Sequence, residues 1–448
     1  MQLLEKLCDL YIDKLKGVSS SNTIESILEI FHSVLKDFRH RLSDVINENA
    51  EHNLAQHAGG RLLNILNERF EIERIINIDD GSNNLIIVST LAVILDIKKL
   101  EADKIEDALS SHLKQAFQSI LRKVDSKIEL ICGLLCCRHL SAVRKVLAIL
   151  HYTVKSTNNI DMIFMILTGI RDYTERILSS SDIQKLIDSM LDNNHTEFFD
   201  DKAVSDVTIN IECLKELINI YMEVYISLMR LYMEENENFC YRISTDIKLR
   251  ILNDILTFTH GLLQQNEDSV EYIFNWYMNN DSDLASFMLN LVRLELTFRE
   301  FEKKLINFDD ESQEKSMNEQ KSIMECISTQ MTHILNYYTS HDFFLRFLIS
   351  TGFNYSILLD FLISNETIFL EFLLDYCKHL EQNISQFLII CKKFDEKISE
   401  MENCAERVLV VFNNLTRSIQ SLMDKNLFPY NATSLIKRLK KVELLIPY

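Results

Sequence analysis

Apolar residues recur along this chain every three or four positions, interrupted by short polar breaks. Leu4, Leu7, Tyr11 and Leu15 fall on one helical stripe, while Glu5, Asp9, Asp13 and Lys16 lie largely off it. Gly17 and the serines after it end that helix. Asn22 then offers an N-cap with Glu25 three residues on, and Ile24, Ile27, Leu28, Phe31, Leu35 and Phe38 make the next stripe. The same unit, a helix of roughly 12 to 20 residues and a short break, repeats along the chain. Breaks are expected at 78–84, 156–161, 193–206, 264–268 and 279–283. The pattern predicts an all-α fold, an irregular α-solenoid of the armadillo or HEAT kind with about twenty helices. Compact multi-helix domains are the alternative architecture.

Composition supports the class. Only 8 Gly and 2 Pro occur in 448 residues, with the prolines at 429 and 447. Sheets and their tight turns need both residue types at special backbone angles, and helix interiors exclude them. The most polar interruption, NFDDESQEKSMNEQK at 307–321, has no apolar stripe and reads as a flexible loop. The expected organisation is therefore a helical array over 1–306, the polar loop at 307–321, a continuing array over 322–395, and C-terminal helices with a tail over 396–448.

Charge narrows the function. A formal net charge of −19 opposes nonspecific binding to nucleic acid, which needs a basic surface to neutralise phosphates, and opposes anionic membranes as well. The start MQLLEKLCDLYIDKLK places acidic residues inside its apolar pattern and does not read as a signal peptide, so the ten cysteines are expected as reduced thiols.

Several constellations carry side chains capable of chemistry. Cys132, Cys136, Cys137 and His139 have zinc-compatible side chains, but no second ligand couplet accompanies them and their apolar setting fits buried helical thiols. His195 among Asp192, Glu197, Asp200 and Asp201 reads as a solvated loop between helices. His52 and His57 lack the spacing of a zinc helix, and Gly59–Gly60 lacks that of a phosphate loop. Trp276 with Tyr277 reads as packing at a helix end. No catalytic, cofactor-binding or metal-binding residues are assigned, and no cofactor is expected.

The tail carries the candidate contact residues. In SLIKRLKKVELL, Leu435, Leu439, Val442 and Leu445 form an apolar stripe, while Lys437, Arg438, Lys440 and Lys441 occupy the rest of the surface. Phe428, Pro429 and Tyr430 precede it in an aromatic turn, with Asn431 or Thr433 capping the helix. This helix closes the last core layer, or it offers a basic patch to an acidic or phosphorylated partner segment; both can hold together.

Two blocks resemble a known family. Lys425–Leu445, KNLFPYNATSLIKRLKKVELL, resembles the C-terminal block of the Lines proteins, and Ile357–Leu380, ILLDFLISNETIFLEFLLDYCKHL, resembles a second Lines block that is followed by FLIICKKFD. Ala432 stands where the family usually has proline, and 396–424 is short where relatives can hold a long polar insertion. The resemblance implies a non-enzymatic regulator of developmental signalling, of the Wnt/Wingless and Hedgehog type. It also implies action in cytoplasm and nucleus, with transcription modulated through contacts to other proteins, transcription factors among them. A trafficking or import-type solenoid that recognises basic peptides is the rival reading. The oligomeric state is left open.

Overall fold

A computed structural model describes residues 28–36, 63, 66–67, 84–103, 109, 111–136, 139–179, 211–234, 269–308, 315–364, 368–397 and 403–446. Every regular element among the described residues is helical, as the pattern predicts. Among the described residues beyond 80 the α-helices are α1 (Asn84–Ala102), α2 (Ser111–Asp125), α3 (Ile128–Gly133), α4 (Leu140–Ser156), α5 (Ile160–Ser179), α6 (Ile211–Glu234), α7 (Ser269–Met278), α8 (Asp281–Phe308), α9 (Lys315–Tyr337), α10 (Ser340–Ser350), α11 (Tyr355–Ile363), α12 (Phe369–Lys397), α13 (Cys404–Asp424) and α14 (Thr433–Glu443). Residues 28–36 are also helical, and Leu28, Phe31 and Leu35 are buried on the stripe that the spacing predicts.

The chain divides into two compact units, Met1–Val224 and Tyr225–Tyr448, and the division falls inside α6. In the first unit α1 packs along α4, and α3 against α5. The α3–α5 approach is close enough to need a glycine. A Cβ on Gly169 of α5 would lie 2.7 Å from Cys132 Cβ, so the Cys132 side chain fills the space that Gly169 leaves. Lys98 is buried on α1, and its ammonium is bound by Asp125 at 2.5 Å and Glu101 at 2.8 Å. A buried charge so paired is tolerable; one without its partners would not be.

In the second unit α8 runs along α12, although three helices separate them in sequence. Such pairing between distant elements is the irregular part of the stack, since an ideal repeat array contacts only its neighbours. The core is aromatic. Phe344 of α10 stacks within 4.4 Å of Tyr376 and 5.7 Å of Phe372 on α12, and within 6.1 Å of Phe412 on α13. Thr339 caps α10 by accepting from the Asp342 amide, and Asn354 caps α11 by accepting from Ser356.

The polar stretch expected as a loop at 307–321 is shorter than that range. Helix α8 continues through Phe308 and α9 begins at Lys315, while 309–314 lie outside the described residues. Lys, Met, Gln and Glu are good helix formers, and neither Gly nor Pro interrupts 315–321. Polarity without an apolar stripe therefore did not exclude a helix there.

Candidate functional site

The tail begins where α13 ends. Asn426 takes a left-handed conformation at φ 54°, and the Leu427 amide reaches back to the Leu422 carbonyl at 2.8 Å. Asparagine tolerates this conformation better than most residues, so it ends the helix at little cost. The reversal places Phe428 against Tyr430, edge to face at 4.9 Å. The Tyr430 hydroxyl donates to the Leu362 carbonyl at the end of α11. Partial burial pushes its phenol up to about 12. Asn431 then accepts from the Thr433 amide at 3.0 Å, while Ala432 occupies the cap position itself. The capping role expected of Asn431 or Thr433 thus falls to Asn431.

Helix α14 buries Leu435, Ile436, Leu439 and Val442 against α12 and α13. Leu445 does not continue the stripe. The helix stops at Glu443, the chain turns, and Ile446 is buried while Leu445 is 39% exposed.

The four cations expected as one patch separate into two kinds. Arg438 and Lys441 both reach Glu381 of α12, at 3.4 Å and 2.6 Å, and the Glu381 side chain is only 10% exposed. Lys437 and Lys440 point into solvent. Phe428, Tyr430, Arg438 and Lys441 therefore fasten the tail, while Leu427, Pro429, Lys437 and Lys440 form its outer surface. A Tyr430→Phe variant is expected to lose about 1 kcal/mol, the net worth of one hydrogen bond, with the core otherwise intact. Urea unfolding followed by tryptophan fluorescence checks it, since Trp276 is the chain's one tryptophan and lies in this unit.

A second cluster lies deeper, where α8, α10 and α12 meet. Glu295 accepts from the Ser340 amide at 2.9 Å, from the Ser340 hydroxyl, and from His379 Nε2 at 3.0 Å. On its other side His379 Nδ1 accepts from Asn383 at 3.1 Å, at the point where α12 departs from helical geometry. The His341 ring lies 4.8 Å from that of His379 and shares a 3.1 Å hydrogen bond with Tyr376. All six residues are buried.

Burial opposes the charge on Glu295, but the two imidazoles and the Ser340 hydroxyl outweigh it and hold the carboxyl below its ordinary value. For His341 burial dominates, reinforced by His379 and opposed by Glu295, and its pKa falls to about 3. The serine hydroxyl faces the carboxylate, not an imidazole, and the group is sealed from solvent. Its chemistry is to lock three helices at fixed register. Nothing in the sequence spacing joins these residues, because 295, 340 and 379 are brought together only by the packing of α8, α10 and α12.

The other constellations resolve unevenly. Cys132 is buried beneath Gly169, and burial raises its thiol to about 12. Cys136 is exposed and His139 sits at the N-cap position of α4. Among the described residues, no group of three or more His, Cys, Asp and Glu is arranged to hold a metal ion. Cys137, the His195 loop, His52, His57 and Gly59–Gly60 lie outside those residues. Trp276 is half-buried, and its neighbour Tyr277 stacks on Phe287 at 4.3 Å. No single described helix is long and apolar enough to cross a membrane.

The family models match residues that lie almost wholly in the second unit. A family model described as Lines N-terminus matches residues 223–391, and one described as Lines C-terminus matches 408–444. Protein Lines homolog 1 of Homo sapiens is 45% identical over 67 residues, 15% of this chain and 9% of the human protein. Its Mus musculus counterpart is 50% identical over 54 residues, 12% of this chain and 7% of the relative. Protein lines of Drosophila melanogaster is 35% identical over 102 residues, 23% of this chain and 11% of the fly protein. The matches thus span only a small share of each relative's length. No solved structure matches the chain. The two matched segments are one packed body: α12 contacts both α13 and α14, and α11 contacts α13.

Proposed function

The chain belongs to the Lines family, and on that premise we propose that it is a non-enzymatic, protein-binding regulator of developmental signalling and transcription. In this reading it acts in cytoplasm and nucleus, on Wnt/Wingless- and Hedgehog-type outputs, by presenting a helical surface to other proteins. The observation that carries the reading is the division of labour in the tail. Four of its seven candidate side chains, Phe428, Tyr430, Arg438 and Lys441, hold it to the body of the unit, which fixes the rest in place. Leu427, Pro429, Lys437 and Lys440 are then a rigid apolar and basic surface on a protein of net charge −19. An acidic partner segment with apolar anchors complements it, because like charges elsewhere on the molecule disfavour docking there.

Charge reversal at Lys437 and Lys440 separates this surface from the fold. The double variant Lys437→Glu, Lys440→Glu is expected to melt within about 0.5 kcal/mol of the parent, as exposed substitutions do. It should lose partners at least tenfold in quantitative affinity capture from cells. An unchanged partner set from a variant of unchanged stability would refute the assignment of this surface.

A further inference from the structure

The outer face of the tail does not end with its lysines. Pro429 and Leu427, the latter 66% exposed, flank the aromatic turn. The Tyr430 hydroxyl on the Leu362 carbonyl sets that turn against the end of α11, where Ile363 is exposed. Phe361 and Phe369 pack at 5.2 Å and bring the start of α12 to the same place. Ile368, one residue before α12, is exposed there as well. Four apolar side chains from three stretches of chain thus stand around the N-terminal end of α14.

From that end α14 carries one outward stripe. Lys437, Lys440, Lys441 and Leu444 recur at three- and four-residue steps, and Leu444 is 86% exposed. The carboxylates of this region are already engaged. Glu381 binds Arg438 and Lys441, Glu443 accepts from the Thr416 hydroxyl at 2.9 Å, and Asp424 accepts from Gln420 at 2.8 Å. Lys437 and Lys440 are left as solvated ammonium groups, so the stripe presents positive charge between two apolar ends. The 11 residues of α14 span about 16 Å.

On the reading of this face as protein-binding, we propose that its partner is an acidic amphipathic helix of about three turns, laid antiparallel on α14. Every regular element among the described residues is helical, so no sheet edge stands there to bond an extended backbone; a helix satisfies its own. The antiparallel sense follows from charge. Acidic side chains are most stable in the first turn of a helix, so that turn sits over Lys440 and Lys441. The apolar last turn then reaches Ile363, Ile368, Leu427 and Pro429, and Leu444 takes an apolar residue just ahead of the first turn. The apolar ends set the register and the lysines set the direction.

The full chain is panned against displayed random peptides of about sixteen residues. Enriched peptides are expected to be acidic toward the N-terminus and apolar toward the C-terminus, and to turn helical in the circular dichroism difference spectrum when bound. Charge reversal in Lys437→Glu, Lys440→Glu and truncation in Leu427→Ser, Leu444→Ser should each weaken them about tenfold by fluorescence anisotropy. All four side chains are exposed, so both variants should melt like the parent. No enrichment, enrichment of basic or neutral peptides, peptides that stay unfolded when bound, or affinities indifferent to Leu427 and Leu444 would each overturn the helical partner. The protein-binding reading itself falls only if charge reversal leaves the captured cellular partners unchanged. Two other occupants are read in parallel. Binding to phosphatidylserine vesicles, or a dimer in sedimentation that charge reversal dissolves, in place of peptide binding, gives the face to a lipid or a second copy and overturns the proposal.

Discussion

Replacing Glu295 with alanine is expected to lower the stability of the second unit by about 3–5 kcal/mol, the range found when one member of a buried charged network is removed. The loss has three parts. His379 keeps a buried Nε2–H with no acceptor, the Ser340 amide and hydroxyl lose theirs, and a cavity opens between α8 and α12. Glu295→Gln keeps the volume and an acceptor oxygen, so its cost should be about half as large or less. The readout is chemical unfolding followed at Trp276, whose helix α7 packs on α8 and α10. A midpoint for Glu295→Ala indistinguishable from the parent would show that the network does not hold these helices.

Acid should weaken the same region, beginning well above the range where carboxylates titrate. In the unfolded chain the His341 imidazole takes up a proton near pH 6.5, whereas in the folded chain burial holds its pKa down to about 3. Between these values the unfolded state binds the extra proton, so stability is complete above pH 6.5 and declines as pH falls toward 3. At pH 5 the difference amounts to about 2 kcal/mol, on 1.36 kcal/mol per unit of pKa. Glu295 acts in the same direction at lower pH. Its folded pKa is depressed, so its contribution is present above the ordinary carboxylate range and is lost as pH falls through the folded value. Unfolding free energies at pH 7.5 and pH 5 should diverge by about that amount in the parent and by much less in His341→Phe. Equal pH slopes in the two proteins would contradict the placement of His341.

The helical class was legible because it rests on local spacing. Leu28, Phe31 and Leu35, like Leu435, Leu439 and Val442, are buried where a period of 3.6 puts them. What the sequence hid depends on contacts across long stretches of chain. Arg438 and Lys441 look like half of a basic patch until Glu381, 57 and 60 residues away, is brought against them. Tyr430 looks like an aromatic anchor for a partner until its hydroxyl meets the Leu362 carbonyl, 68 residues back. Leu445 failed for a local reason, since one turn after Glu443 moved the apolar position to Ile446. The Glu295–His379–Ser340 cluster left no trace in the spacing, because each member stands alone on its own helix.

The central claim is that the tail and the Ile357–Leu380 block are one folded surface, with Leu427, Pro429, Lys437 and Lys440 held outward by the residues that face in. Amide hydrogen exchange across Phe369–Lys397, compared between the full chain and a chain ending at Asn426, tests it most directly. The account predicts markedly faster exchange along α12 once Phe428, Tyr430, Leu435, Leu439 and Val442 no longer cover it. Identical protection of α12 in the two proteins would contradict it.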